Sequence, residues 1–178
     1  MDQITAFLSD AERFSGLAAT PDADWDAASP CEGWTAGDVV DHVVDTQRDF
    51  LTQRGADLGE RPSGTPDRRW AAHLTAVREL LGDDAFASGE YDGFFGRTTV
   101  ADSMARFYGF DLLVHHWDLA RALGRDVSWD DEQMDRIEAA LDGFGDNLYL
   151  EGICAPAIEA PEDAPRQTRL LARMGRTA

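Results

Sequence analysis

The chain has only four histidines, and two of them stand where their chemistry can be combined. His42 borders the apolar stripe of one predicted helix, three residues after Val39. Asp111 and His115 are four residues apart in another predicted helix, so their side chains project from one face, one turn apart. Two histidines and one carboxylate on rigid helices supply three fixed ligands and leave coordination positions open, as in catalytic zinc sites. The spacing therefore predicts a divalent-metal site at His42, Asp111 and His115.

A simpler interpretation of the same spacing is an ordinary ion pair, because acidic residues four positions from histidines are common on helices. The other two histidines, His73 and His116, are interpreted as packing residues, since each lies among apolar neighbours. Asp118, one turn after His115, can orient that ring as an acceptor. An ion pair between Asp118 and Arg121 is the preferred interpretation, so both uses of Asp118 stay open.

The elements that must position these residues are helices, because apolar residues recur at helical spacing along most of the chain. Thr35 is the predicted N-cap of the second helix, with Asp38 at its third position. Gly124 closes the fourth helix. The predicted helices cover residues 2–19, 36–54, 67–82, 99–123 and 129–147, and a short helical turn covers 166–174.

No strand is predicted anywhere, so the fold class is all-α, a helical bundle with an added fifth helix. The segment 83–97 is rich in Gly, Asp and Phe and is predicted to be a loop. Phe94 and Phe95 in that loop are expected to supply aromatic walls of a pocket. The 178 residues correspond in length to one domain, so residues 1–178 are expected to form a single domain.

Composition excludes several classes of partner. The formal net charge of -18 disfavours binding to nucleic acid and to anionic membranes. No apolar run is long enough for a membrane span and no leader pattern is present, which predicts a cytoplasmic protein. Cys31 and Cys154 are far apart and form no metal or redox motif, so buried thiols are the expectation.

Several segments together resemble the mycothiol-dependent maleylpyruvate isomerase metal-binding family, within the DinB-like bundle superfamily. The first is PCEGWT at residues 30–35, followed by DVVDH at 38–42. The second is DLLVHHWDLARALG at residues 111–124. The closing APRQTRLLA at residues 164–172 is similar to the tail of a single-domain, actinobacterial-type subfamily. The resemblance thus runs almost from end to end.

The resemblance implies a DinB-like four-helix bundle, here with the fifth helix and the short C-terminal helical turn. It also implies one divalent metal ion, zinc first, with nickel, iron and manganese as alternatives. In the family, a histidine of the second helix and an acidic residue and a histidine four apart in the fourth helix hold this ion. His42, Asp111 and His115 occupy those positions. The isomerase has glutamate where this chain has Asp111, and it carries a further C-terminal domain, so a related reaction is expected.

The predicted function is that of a metal-dependent enzyme that uses a small, mycothiol-like thiol. Thiol transfer to an electrophilic small molecule and thiol-assisted isomerisation are the reactions expected first, and metal-activated hydrolysis is an alternative. A different class of alternative is a non-catalytic bundle that binds a metal or a partner. Specific catalytic residues are not assigned, the expected partners are a small-molecule substrate and the thiol, and a homodimer is left open.

Overall fold

The computed structural model describes residues 3–150 and 153–178. The chain divides into two compact units, Met1–Arg125 and Asp126–Ala178. Helices dominate the secondary structure, which confirms the predicted all-α class. In these described ranges, no helix has both the length and the apolar character that a membrane span requires. The expectation of a single domain over residues 1–178 stays a prediction.

Four helical segments of the first unit pack in a ring. The first and second helices of the chain each contact both of the other two segments, so these two helices lie diagonally across the ring. All four were predicted, with ends that differ by no more than about two residues. The segments are α1 (Gln3–Ala18), α2 (Ala36–Gln53), α3 (Pro66–Gly82), and a continuous helical stretch made of α5 (Val100–Ser103), a π-helical turn (Met104–Tyr108) and α6 (Gly109–Ala122).

The apolar faces of these segments meet in one core, which fixes how each helix is rotated. Helix α2 contributes four valines with no exposed surface, at spacings of one, three and four residues. Two aromatic residues of α1 and Trp70 of α3 fill the centre, and the indole of Trp70 donates to the Ser15 hydroxyl. The largest members of the core on α1, α2, α3 and α6 are Phe7, Phe14, Leu51, Trp70, Leu112 and Leu119.

The prediction of a strand-free loop over 83–97 was wrong. A one-turn helix, α4 (Asp84–Ala87), is followed by an antiparallel hairpin of β1 (Glu90–Gly93) and β2 (Gly96–Thr99). The two-residue connection between the strands is Phe94 and Phe95. Glycine at the strand ends hid the hairpin in the sequence, although Gly96 has φ +106, a conformation that favours glycine at such a turn.

The long helix predicted over residues 99–123 is present, but it contains a π-helical turn that was not predicted. This turn covers Met104–Tyr108 and ends immediately before α6. A π-turn carries an additional residue per turn and so rotates the preceding residues relative to the following ones. It therefore sets the direction of Tyr108 independently of Asp111, which lies three residues further along.

The second unit contains α7 (Asp131–Phe144), a 3-10 turn (Gly145–Tyr149) and α8 (Arg166–Arg173). The α-helix predicted to reach residue 147 therefore ends three residues earlier. Ion pairs between arginines of α8 and acidic residues of α7 join the two helices. The predicted C-terminal helical turn is present, and its Leu170 and Leu171 are buried.

Candidate metal centre

The start of α2 is well specified by its cap. The Thr35 hydroxyl accepts from the Asp38 backbone N–H at 3.2 Å, and the Asp38 carboxylate accepts from the Thr35 backbone N–H at 2.8 Å. The hydrogen bond from the Thr35 backbone, and then one that the Thr35 hydroxyl donates to the same carboxylate, lower the pKa of Asp38. The predicted capping box is therefore confirmed, and it fixes the turn that leads to His42.

The structure brings the three residues predicted as ligands to one point between α2 and α6. The His42 Nε2 atom lies 3.5 Å from Asp111 Oδ1, and His115 Nε2 lies 3.3 Å from the same oxygen. One ligand atom from each residue falls within 4.8 Å of the others. The His115 side chain is 9% exposed, whereas His42 and Asp111 keep 24% and 28%. One side of the cluster is therefore open to solvent.

One carboxylate oxygen of this cluster accepts no hydrogen bond within the described ranges. Asp111 Oδ2 is buried and makes no hydrogen bond with any residue of the described ranges. A buried carboxylate oxygen without a partner is costly, and such atoms call for an explanation. The donor set of two imidazole nitrogens and one carboxylate fits a divalent cation. The site residues therefore fit the predicted ion, and their role as its ligands stays a prediction.

His115 is held from its other side by two further residues. Its Nδ1 atom lies 3.0 Å from Asp118 Oδ2, and the Asp118 side chain is completely buried. The Cys31 thiol donates to the same oxygen at 3.3 Å. The structure thus supports the other use of Asp118 that the sequence left open, as a group that orients His115. With Nδ1–H donating to Asp118, Nε2 is the ring nitrogen directed at Asp111 and at a metal position.

Cys31, Asp118 and His115 also lie within 4.8 Å of one another, so they form a second group of metal-ligating types that shares His115. Cys31 and Cys154 are free thiols, and both are half-buried. The expectation of fully buried thiols was therefore wrong. Cys31 belongs to the loop before α2, which an isolated bridge between Ala28 and Thr35 closes.

The acidic and basic groups of the cluster stabilise each other's charged forms. Burial is the largest influence on the pKa of Asp111 and raises it, but His115 and His42 outweigh it, so the pKa lies below its ordinary value. Burial likewise lowers the pKa of His115, but Asp111, Asp118 and Cys31 together raise it well above its ordinary value. In the metal-free protein the cluster is therefore an ionised acid against a protonated imidazole.

One aromatic ring packs against the cluster, and two others lie at the tip of the hairpin and on the helical stretch before Asp111. The Trp34 ring centroid lies 4.8 Å from that of His42 and 5.9 Å from that of His115. The hairpin tip is near the other helix, since Phe95 stacks on Phe107 at 5.7 Å, and Phe107 lies four residues before Asp111. Phe94 is 78% exposed and packs on Phe95. The expected pocket-wall role of these two phenylalanines stays a prediction.

The two remaining histidines lie away from the cluster, as the sequence predicted. His73 is fully buried, and its Nε2 atom lies 2.9 Å from the Gln47 side-chain oxygen. Burial, the largest cause, lowers the pKa of His73 to about 4. His116 is also buried, beside Phe14, and burial lowers its pKa.

Sequence reasoning missed Trp34 and Cys31 as parts of the site. A signal was present, because both lie in the loop that enters the helix carrying His42. A short loop closed by a tight turn returns its side chains to the first turns of the following helix. The Trp34 backbone N–H donates to the Cys31 carbonyl at 3.0 Å, which is such a turn.

Comparisons with known proteins agree with this architecture. The family model of the mycothiol maleylpyruvate isomerase N-terminal domain matches residues 8–120. Two uncharacterized proteins of Mycobacterium tuberculosis, from strains CDC 1551 / Oshkosh and ATCC 25618 / H37Rv, are each 29% identical over 194 aligned positions, covering 99% of both sequences. No solved structure shows significant similarity. The family match and the helical architecture together confirm the predicted DinB-like bundle.

Proposed function

Because the chain belongs to the mycothiol maleylpyruvate isomerase N-terminal domain family, we propose that it is a divalent-metal-dependent enzyme using a small, mycothiol-like thiol. In this proposal His42, Asp111 and His115 hold the ion, with zinc as the first candidate and nickel, iron or manganese as alternatives. The observation that carries the proposal is the buried, unpartnered Asp111 Oδ2 atom between two imidazoles. The same proposal places the protein in the cytoplasm, where reduced thiols are abundant.

A bound divalent ion would supply positive charge that lowers the pKa of a coordinated thiol from about 8.5, so that the thiolate persists near neutral pH. Such a thiolate would serve as the nucleophile towards an electrophilic carbon. In a transfer reaction the new carbon–sulfur bond would replace the bond to a leaving group, which would take the electron pair, and in an isomerisation the carbon–sulfur bond would break again after rotation. Both outcomes balance without an external oxidant or reductant.

The protein's own residues orient and shield this site. Asp118 accepts the Nδ1–H of His115 and so keeps Nε2 directed at the ligand cluster. Trp34 packs against both imidazoles and excludes water from one side. We further propose that Phe95, which stacks on Phe107, supplies an apolar wall for the substrate. An electrophile with an apolar portion fits such a wall.

Elemental analysis of tag-free protein, purified without added metal, is the first test. We expect near-stoichiometric metal in the native chain and its loss in His42→Ala and Asp111→Ala after identical dialysis. Asp102→Asn is the matched control, because it removes a carboxylate from the same helical stretch outside the cluster and should retain the metal. A native chain that neither contains nor takes up zinc, nickel, iron or manganese would refute the proposal.

The thiol part of the proposal needs a separate measurement. Protein loaded with Co²⁺ and titrated with mycothiol or cysteamine should develop a sulfur-to-cobalt charge-transfer band in the near ultraviolet. Cys31→Ser serves as the control, since the band must persist there to be assigned to the added thiol. Retained metal without such a band favours metal-activated hydrolysis, and a closed coordination shell favours a non-catalytic metal-binding bundle.

A further inference from the structure

Arg54, at the end of α2, carries a positive charge that no carboxylate of the described ranges neutralises by an ion pair. Its Cζ atom instead lies 4.1 Å from the Tyr91 ring centroid and 5.7 Å from that of Phe50. This is unusual in a chain with 34 acidic residues and a net charge of -18, where arginines such as Arg61 and Arg69 pair with nearby aspartates. The aromatic rings hold the guanidinium plane in a fixed orientation.

The guanidinium also lacks hydrogen-bond acceptors. Its Nε atom is buried and has no partner in the part of the chain that the structure describes. The terminal nitrogens are not among the buried unpartnered atoms, so they reach solvent. Arg48, on the same helix, differs, because its guanidinium donates to the Leu58 and Gly59 carbonyls. Arg54 thus presents oriented donors to the outside.

Tyr108 presents a second donor, and the charges of both Asp111 and Arg54 act on it. Its ring lies 4.9 Å from that of Phe50, so Tyr108 and Arg54 flank the same aromatic side chain. Its hydroxyl has no hydrogen-bond partner in the described ranges and is not enclosed, whereas the Tyr91 hydroxyl bonds Ser103. Burial, and then the charge of Asp111, raises the pKa of Tyr108, so the hydroxyl keeps its proton.

We propose that Arg54 and Tyr108 form a subsite for a carboxylate group of the substrate. The guanidinium fork and the phenol supply the donors that a carboxylate oxygen pair requires. This inference rests on the proposed function, because it assigns the electrophile a carboxylate at one end and its reactive centre near Asp111. Tyr108 precedes Asp111 by three residues, about 4.5 Å along a helix axis, whereas Arg54 follows His42 by twelve residues, at the end of α2, so Tyr108 is the member of the subsite on the side of the ligand cluster.

The local charge agrees with an anionic ligand once the ion is bound. Asp111 and Asp49 are the acidic groups that act on Tyr108, and Arg54 is the basic one. A divalent ion and Arg54 together carry three positive charges, one more than the two negative charges of Asp111 and Asp49. The subsite therefore matches a ligand with one carboxylate in reach, and its affinity should be higher in metal-loaded protein than in metal-free protein.

A purely structural role for Arg54 makes a different prediction. A cation at the end of α2 and its contacts with two rings stabilise the fold whether or not a ligand binds. Removing such a cation lowers the free energy of unfolding without changing the preference for a charged ligand. Ligand charge is therefore the variable that separates the two roles.

The test is calorimetric titration of the full-length, metal-loaded protein with succinate and with its neutral analogue succinamide. The native chain should bind succinate more tightly than succinamide. Arg54→Gln should weaken succinate binding at least about tenfold, and Tyr108→Phe about fivefold, as expected for losing a charged and a neutral hydrogen bond. Arg48→Gln, which removes the same charge from the same helix, should leave the affinity unchanged.

Equal succinate affinities in the native chain and Arg54→Gln would overturn the subsite, as would no preference over succinamide. Metal content measured on each sample separates this failure from failure of the metal site. If the native chain holds no metal, the proposed function fails. The succinate affinities of the metal-free native chain and of metal-free Arg54→Gln then test the subsite by itself. If Arg54→Gln does not fold, Tyr108→Phe and Arg54→Lys decide, the lysine retaining charge but losing the planar fork.

Discussion

His115 and His73 lie in the same bundle and are both almost excluded from solvent, yet their pKa values shift in opposite directions. Burial lowers both. At His73 the facing group is the neutral side chain of Gln47, so burial prevails. At His115 two carboxylates face the ring, one at each nitrogen, and they outweigh burial. Carboxylates thus keep the buried His115 charged, and a buried group with so strongly shifted a pKa supports the function proposed for this region.

We expect the largest effect from removing the Asp111 carboxylate, which distinguishes the surroundings of His115 from those of His73. Asp111→Asn should reduce metal affinity by at least about a hundredfold, because a ligand is lost and not merely a residue that orients one. In metal-free protein the pKa of His115 should fall towards that of His73, measured by NMR titration of the ring protons. An unchanged pKa at His115 would show that Asp111 does not maintain its charge.

The next effect concerns His73 and acts through pH. The folded-state pKa of about 4 is below the ordinary 6.5, so between these values the unfolded chain binds the proton and the folded chain does not. The contribution of the neutral His73 ring to the free energy of unfolding is complete above pH 6.5. It declines as pH falls, by about 2 kcal/mol between pH 7 and about pH 5.

Urea denaturation of metal-free protein at those two pH values measures this loss. His73→Gln should show a smaller decrease than the native chain by about that amount, since the titrating group is gone. A parallel decrease in both proteins would show that other groups, such as the carboxylates, account for the acid sensitivity.

A smaller effect is expected from Asp118, which orients His115 without facing the metal position. Asp118→Asn should weaken metal binding about tenfold, less than the loss of a ligand. The measurement is competition with a chromophoric chelator. Gln47→Leu is the control, because it changes the partner of the other buried histidine and should leave metal affinity unaltered. A loss as large as that of Asp111→Asn would instead make Asp118 a ligand.

The smallest effect comes from the cap of α2. Thr35→Ala removes one side of the capping box and should lower the free energy of unfolding by about 1 kcal/mol. It should weaken metal binding slightly, because the capped turn leads to His42, while the pKa of His73 stays near its native value. Thr75→Ala is the control, since that hydroxyl bonds Ala71 within α3 and caps no helix end.

Much of this comparison was predictable from sequence. The 3.6-residue period fixed the helices, and the four-residue spacing placed Asp111 and His115 on one face. His73 and His116 were recognised as packing residues from their apolar neighbours. These inferences are local, and local periodicity is the part of the structure that sequence records most directly.

What the sequence did not indicate depends on contacts between distant segments. Cys31 and Asp118 are 87 positions apart, a separation over which no periodic signal acts, so their contact needed the folded chain. The hairpin was missed because glycines flank its two-residue turn. That Arg54 has no acidic partner within the described ranges is equally invisible in a sequence so rich in aspartate.

The π-helical turn at Met104–Tyr108 makes two parts of the site separable in evolution. Deleting one residue there would restore a regular α-helix and rotate everything before it by about 100° relative to Asp111 and His115. The ligand pair would keep its geometry, while Tyr108, Phe107 and the hairpin would face elsewhere. A single codon lost or gained in this segment would therefore redirect these aromatic side chains and leave the spacing of Asp111 and His115 unchanged.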